Sequence, residues 1–303
     1  MSVFSKAVIA LTEAGPVEKT ITGTRPGRAL AHRFVAGDTL DDAVSVARRL
    51  NDDGLVVSLD FLGEEVSDRT SAVEARDEYL EGLERIGSEG LQANISVKLS
   101  QLGLAIDEGL AIELLDSLAE GAHRVSTTVT IDMEDSRFTD ATLRIYEKTQ
   151  THHRNLGLAL QAYLHRTPAD LERLMPLGGH VRLCKGAYVE EADVALTSKS
   201  AVDQAYAGQL RTLMVNEQVR PAVATHDLQL VDLARELARE REQPFEFQML
   251  YGVRSSLQRQ LVADGFTMRV YLPFGSQWYP YLTRRLAERP SNAWFFVRSV
   301  FGS

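Results

Sequence analysis

Asn94-Ile95-Ser96-Val97-Lys98-Leu99, then the stretch from Gly109 to Ala122, then Thr127-Thr128-Val129-Thr130-Ile131-Asp132 decide the reading of the fold. The first and third are short, apolar and rich in β-branched residues, as buried parallel strands are. The middle one is longer and amphipathic, as a crossover helix is. A strand, a helix and a second strand make one unit of a parallel sheet.

Outward from that unit the same alternation runs in both directions. Strands are expected at Leu55–Asp60, Asn94–Leu99, Thr127–Asp132, Gly157–Gln161, His180–Cys184, Pro221–Thr225, Phe245–Gln248 and Met268–Tyr271. Helices are expected at Ser71–Ile86, Gly109–Ala122, Asp140–His152, Pro168–Met175, Val202–Val215, Leu228–Arg241 and Ser255–Asp264. A last helix is expected from Trp278 to Arg289. Eight strands alternating with helices fit a (β/α)8 TIM-type barrel better than a doubly wound sheet. The expectation is one domain over residues 1–303. It comprises an N-terminal extension (1–54) with a helix near Leu40–Asn51, a barrel (55–303), and the final helix over the barrel mouth.

Composition agrees with a soluble globular chain: 303 residues, 44% apolar and 25% charged. A net charge of -9 argues against nucleic acid as partner, because phosphate binding needs a basic face. The single cysteine, Cys184, allows no intrachain disulfide, which fits a reducing compartment and a cytoplasmic location. The apolar stretch Ala7–Leu11 is too short for a secretory signal or a membrane span.

In such a barrel the active site lies where the strands end. The expected ends carry Asp60 (with Glu64 in the loop beyond), Lys98, Asp132, Gln161, Arg182 with Lys185, Thr225-His226-Asp227, Gln248 and Tyr271. Charges gathered at one end of a barrel are costly to keep for packing alone, so this end is read as functional. No glycine-rich phosphate loop is present. His152 and His153, adjacent on a helix, are expected to diverge as a solvated pair, and no metal site is expected. His226 reads equally as a ligand contact or a satisfied core histidine.

The string Val181-Arg182-Leu183-Cys184-Lys185-Gly186-Ala187-Tyr188 resembles the RLVKGAY motif of the proline dehydrogenase family. Asp60-Phe61-Leu62-Gly63-Glu64, Ser96-Val97-Lys98-Leu99-Ser100, Ile131-Asp132-Met133-Glu134, Gln161-Ala162-Tyr163, Ala224-Thr225-His226-Asp227 and Phe247-Gln248-Met249-Leu250-Tyr251-Gly252 follow in the family's order. So does the block from Arg269-Val270-Tyr271 through Tyr281 to Pro290. The length resembles the monofunctional bacterial enzymes. The main departure is Cys184, where the family usually has an aliphatic residue; it is read as a small buried hydrophobe, and much of the N-terminal segment carries no family motif.

The resemblance implies non-covalent FAD, oxidation of L-proline to Δ1-pyrroline-5-carboxylate, and a quinone as electron acceptor. It implies that Arg284 and Arg285, with Lys98, hold the substrate carboxylate. Arginine suits that task because its planar fork binds carboxylate through two hydrogen bonds. Tyr271, Leu250 and Tyr188 would wall the substrate, and Asp132 would orient a cation of the cluster. Arg182 would lie beside the flavin, with Met133, Gln161, Cys184, Lys185, Gly186, Ala187, Thr225, His226, Gln248 and Glu288 contacting FAD. Glu64 would pair with Arg284 as a gate.

Three alternatives stay open on sequence. One is a hydroxyproline dehydrogenase, against which Tyr271 speaks because a hydroxylated ring needs room there. Another is a flavin-free Schiff-base aldolase using Lys98 or Lys185. The third is a non-catalytic barrel that binds proline or FAD. Quinone use implies visits to a membrane, and the apolar segment Ala293–Phe301 is a candidate for docking on a bilayer, the competing reading being that it packs on the barrel.

Overall fold

The computed structural model describes residues 31–63 and 65–288, with side chains as far as Thr283 in the last helix. Eight parallel strands close into a barrel in sequence order. They are β1 (Val56–Phe61), β2 (Ala93–Val97), β3 (Val129–Ile131), β4 (Leu156–Gln161), β5 (Gly179–Cys184), β6 (Val219–Ala224), β7 (Glu246–Leu250) and β8 (Met268–Phe274). Closure is made by β1 on β8, with Val57 opposite Val270 and Ser58 opposite Tyr271.

Helix α1 (Leu40–Asp52) precedes the barrel. Between strands run α2 (Arg69–Ser88), α3 (Glu108–Arg124), α4 (Ser136–His153), α5 (Thr167–Leu174), α6 (Lys199–Val215), α7 (Leu228–Leu237) and α8 (Ser255–Ala263). Helix α9 (Trp278–Glu288) follows β8. Their starts are written locally. Thr39 and Asp42 form a capping box on α1, and Asp68, Asp107, Asp135, Ser198 and Asp227 each accept a first-turn amide of the helix they precede.

Strand side chains alternate between two destinations. Those pointing outward, such as Val57, Leu59, Ile95, Val97, Val129, Ile131, Val181, Leu183 and Phe247, join the main apolar core under the helices. Those pointing inward are mostly polar: Ser58, Asp60, Asn94, Ser96, Thr130, Arg182, Glu246 and Gln248 are all buried. Barrels of this kind usually fill the interior with branched aliphatics. Here the filling is a hydrogen-bonded network, as buried polar groups require.

Several expected boundaries move. Strand β8 runs on to Phe274, so Tyr271 is an interior strand residue rather than a strand end. Strands β2 and β3 stop at Val97 and Ile131, which leaves Lys98 and Asp132 just past the ladder. The expected Leu228–Arg241 helix ends at Leu237 and continues as a short 3-10 turn, Ala238–Glu240. His152 and His153 do not diverge: their rings meet edge to face at 4.7 Å, and His153 Nε2 lies 3.1 Å from Asp116. A second apolar cluster joins Ala31, Phe34 and Val35 to Trp278, Tyr279, Tyr281 and Leu282, so this part of the extension packs on α9. No helix among the described residues is long and apolar enough to cross a membrane.

Candidate active site

A cavity of about 860 Å³ opens at the C-terminal ends of the strands. That lies at the upper end of small-ligand sites, larger than a single amino acid requires. From β1, β2 and β3 come Asp60, Lys98, Asp132 and Met133. From β4 and β5 come Gln161, Arg182, Cys184, Lys185, Gly186, Ala187 and Tyr188. Thr225 and His226 follow β6, Gln248 and Leu250 lie on β7, and Tyr271 comes from β8. Every expected site residue whose side chain is described thus lines one cavity. Gln277 and Tyr281 also line it, so α9 forms one side of the mouth. The expectations for Glu64, Arg284, Arg285 and Glu288 lie outside the described side chains, and the segment 293–301 lies outside the described residues.

At the floor sits Arg182, 5% exposed. Its Nη1 binds Asp132 Oδ1 in an ion pair and donates to Ser96 Oγ at 2.8 Å. Its Nε donates to Gln248 Oε1 at 2.6 Å. The Tyr271 hydroxyl donates to the other oxygen of Asp132, and the Arg182 guanidinium carbon stands 5.3 Å from the Tyr271 ring centroid. Such a contact adds attraction between cation and ring face. Burial raises the Tyr271 pKa well above its ordinary value, so the phenol stays neutral and donates.

A second buried pair flanks this one. Lys98 Nζ lies 2.9 Å from Asp60 Oδ1. Burial opposes the charge on Lys98, but the Asp60 and Asp132 carboxylates outweigh it and hold the ammonium charged. Asp60 Oδ2 is buried and has no hydrogen-bond partner among the described residues.

Beyond β5 the chain turns at Gly186, where φ is +124°. A Cβ there would lie 2.3 Å from the Tyr163 ring, so only glycine fits. Lys185 is bound by Asp203 and Asp227, and Asp227 also caps α7 by accepting from the Gln229 amide. His226 accepts the Leu250 amide through Nε2 at 3.0 Å, which fixes that ring atom as an acceptor and joins the ends of β6 and β7. His226 is thus hydrogen-bonded within the fold and also lines the cavity. Cys184 donates its thiol to the Leu160 carbonyl, and burial pushes its pKa up to about 12, so it is no nucleophile near neutral pH. Among the described residues no group of His, Cys, Asp and Glu is placed to hold a metal.

Two parts of this network escaped the sequence reading. One is the pairing of Lys98 with Asp60. The other is the Glu246–Arg269 ion pair beneath the floor, 2.7 Å between Nε and Oε1. The signal for the second was present: Glu246-Phe247-Gln248 and Arg269-Val270-Tyr271 place polar residues two apart on one strand face.

Comparison with known proteins agrees with the motif reading. The family described as proline dehydrogenase matches residues 43–298. "Proline dehydrogenase 1" of Bacillus subtilis is 38% identical over 281 residues, covering 92% of both chains. The "Proline dehydrogenase" of Deinococcus radiodurans is 34% identical over 312 residues, covering 98% of this chain and 97% of its own. Among solved structures, proline utilization A from Bdellovibrio bacteriovorus, inactivated by N-propargylglycine, superposes with a TM-score of 0.81 at 22% identity. That likeness covers 91% of this chain but 34% of the other, and it supports the barrel fold.

Proposed function

The chain belongs to the proline dehydrogenase family, and from that premise we propose that it oxidises L-proline to Δ1-pyrroline-5-carboxylate with non-covalently bound FAD. The observation that carries the reading is the buried Arg182–Asp132–Tyr271 arrangement at the floor of a cavity large enough for a cofactor and a small substrate.

The residues fit such a cofactor. Gln161 Oε1 is buried on the cavity wall and has no hydrogen-bond partner among the described residues, an acceptor that a ligand N–H would satisfy. Lys185 and Lys199 line the same cavity but are paired with Asp203 and Asp227, so they would meet a pyrophosphate only by exchanging those carboxylates for it. Gln161, Arg182, Lys185, Gly186, Thr225, His226 and Gln248 would hold the group, with Met133, Cys184, Ala187 and Glu288 beside it. When bound, the flavin supplies the acceptor for the hydride that leaves proline C5.

The protein's own contribution is orientation and electrostatics. Lys98, with Arg284 and Arg285, fixes the substrate carboxylate. Tyr271, Leu250 and Tyr188 wall the ring, and Glu64 with Arg284 closes the entrance. Arg182 would present a fixed positive charge to the group that gains negative charge by accepting the hydride, and Asp132 keeps that guanidinium in place. The substrate would lose a hydride from C5 to the cofactor and a proton from nitrogen to solvent. A quinone met at a membrane surface would be the final acceptor of the two electrons.

The test is the visible spectrum of the purified protein, before and after L-proline under anaerobic conditions. Flavin bands that bleach with L-proline support the proposal. Faster bleaching by trans-4-hydroxyproline would transfer it to the hydroxylated substrate. Folded protein that takes up no FAD would overturn it and turn attention to the strand-end lysines. Reoxidation by a soluble quinone analogue tests the acceptor.

A further inference from the structure

Arg182 is held from above by Asp132. It is also held from below, by a circuit of hydrogen bonds that returns on itself. One arm runs from Arg182 Nε to Gln248 Oε1 at 2.6 Å, then from Gln248 Nε2 to Glu246 Oε1 at 2.6 Å, with Arg269 Nε donating to that same oxygen at 2.7 Å. The other arm runs from Arg182 Nη2 to Ser58 Oγ at 3.4 Å, then from Ser58 Oγ to Asn94 Oδ1 at 2.6 Å. Arg269 Nη1 donates to Asn94 Oδ1 at 3.3 Å. The arms meet at Arg269, whose Nη2 also binds Glu246 Oε2 at 3.0 Å.

The polarity of this circuit has one solution. Guanidinium groups only donate, so Gln248 must turn its oxygen to Arg182. The ionised Glu246 only accepts, so the Gln248 amide nitrogen must face it. Burial opposes ionisation of Glu246, yet Arg269 outweighs it and holds that carboxyl at about 2. Serine and asparagine complete the second arm with donors and acceptors in the matching order. A buried ion pair is a doubtful source of stability, because apolar residues of similar volume often serve as well. Its presence inside the barrel, where aliphatic packing is the norm, calls for another reason.

We propose that Glu246 and Arg269 are positioning residues: through Gln248 and through Asn94 and Ser58 they fix the plane of the Arg182 guanidinium at the floor of the cavity. Neither touches the cavity itself. The catalytic consequence rests on the proposed function, in which Arg182 lies beside the flavin. The positioning itself does not, and can be measured without turnover.

Two paired variants test this. Glu246→Leu with Arg269→Met removes both charges together and the acceptor under Gln248. Glu246→Gln with Arg269→Gln removes the charges but keeps an acceptor there. The first readout is hydrogen exchange of the Arg182 Nε–H by nitrogen-15 NMR in the full-length protein. The Leu/Met pair is expected to speed exchange by roughly tenfold or more, as expected for a broken buried hydrogen bond. The Gln/Gln pair is expected to stay within about threefold of wild type.

In the FAD-loaded enzyme the Leu/Met pair is expected to lower kcat by about tenfold or more with little change in the KM for L-proline, as loss of orientation does. It is also expected to make the flavin potential more negative, and the Gln/Gln pair to rescue both. Unchanged exchange in the Leu/Met pair, or equal losses in both pairs, would overturn the proposal. Should the Leu/Met pair not fold, Arg269→Lys keeps the charge but cannot bridge Glu246 and Asn94. Faster Arg182 exchange there supports the circuit, and wild-type exchange refutes it. Wild-type protein that L-proline fails to reduce would instead refute the functional reading and leave the exchange result standing.

Discussion

The Tyr271 hydroxyl donates to Asp132 Oδ2 at 2.7 Å, while Oδ1 of the same carboxylate is occupied by Arg182. One carboxylate thus ties the aromatic wall of the cavity to the cation at its floor. The ring of Tyr271 also covers that cation. Position and chemistry at 271 are therefore coupled, and a change there alters the space above Arg182 and the orientation beneath it together.

Tyr271→Ser removes the ring and leaves a hydroxyl too short to reach Asp132. The kcat/KM for L-proline is expected to fall by about tenfold or more, the scale of losing packing and one charge-linked hydrogen bond. The opened space admits a ring hydroxyl, so relative activity on trans-4-hydroxyproline is expected to rise. Competition of the two substrates in one assay reads the preference. An unchanged ratio would show that Tyr271 does not set it.

Lys98→Met strands Asp60, 1% exposed and already short of one partner. The expected loss of stability is about 3–5 kcal/mol, the usual consequence of leaving a buried charge unpaired. Adding Asp60→Leu removes that charge and is expected to restore much of the melting temperature. It does not return a cation to the cavity, so the KM for L-proline should remain raised. Full recovery of KM in the double variant would mean that Lys98 serves the fold alone.

The barrel was legible because its strands are written twice, once by β-branched residues and once by the polar residue that follows. Asp132, Gln161, Arg182 and Gln248 could be placed on that basis. What hides from a linear reading is partnership across the barrel. Asp60 and Lys98 are 38 positions apart, and Arg182 and Gln248 are 66 apart. Pairing of β1 with β2 brings the first two together, and the β5–β6–β7 order brings the second two within reach across the barrel interior. Tyr271 reads as a strand end in the sequence, yet Leu272, Pro273 and Phe274 continue the ladder against β1. Cys184 needed its surroundings: sequence gave its size, while its hydrogen bond to Leu160 depends on the β4–β5 register.

Cys184 carries a second consequence. With its pKa pushed up to about 12 by burial, the thiolate is scarce at pH 8, and alkylation needs thiolate. Iodoacetamide is expected to leave the folded protein unmodified under conditions that label it fully in denaturant. Mass spectrometry of the intact chain gives the count. Cys184 is half-buried and lines the cavity, so labelling of the folded protein at the rate of a free thiol would mean that its thiolate forms there as readily as in water.

Acid should weaken the barrel through Glu246. Its carboxyl titrates near 4.5 in the unfolded chain and is held at about 2 in the folded one by Arg269. A group whose folded pKa is depressed adds stability that is complete above its unfolded value. That contribution is lost as pH falls from about 4.5 toward 2. The gap corresponds to a contribution on the order of 3 kcal/mol. Chemical unfolding at pH 5, 4 and 3 would measure it. Wild-type protein should lose stability more steeply than Glu246→Leu with Arg269→Met, because the other carboxylates are common to both and cancel in the comparison. Parallel curves would place the acid sensitivity elsewhere, in surface pairs such as Asp140 with Arg166 or Glu108 with Arg144, whose carboxyls are also lowered by their partners.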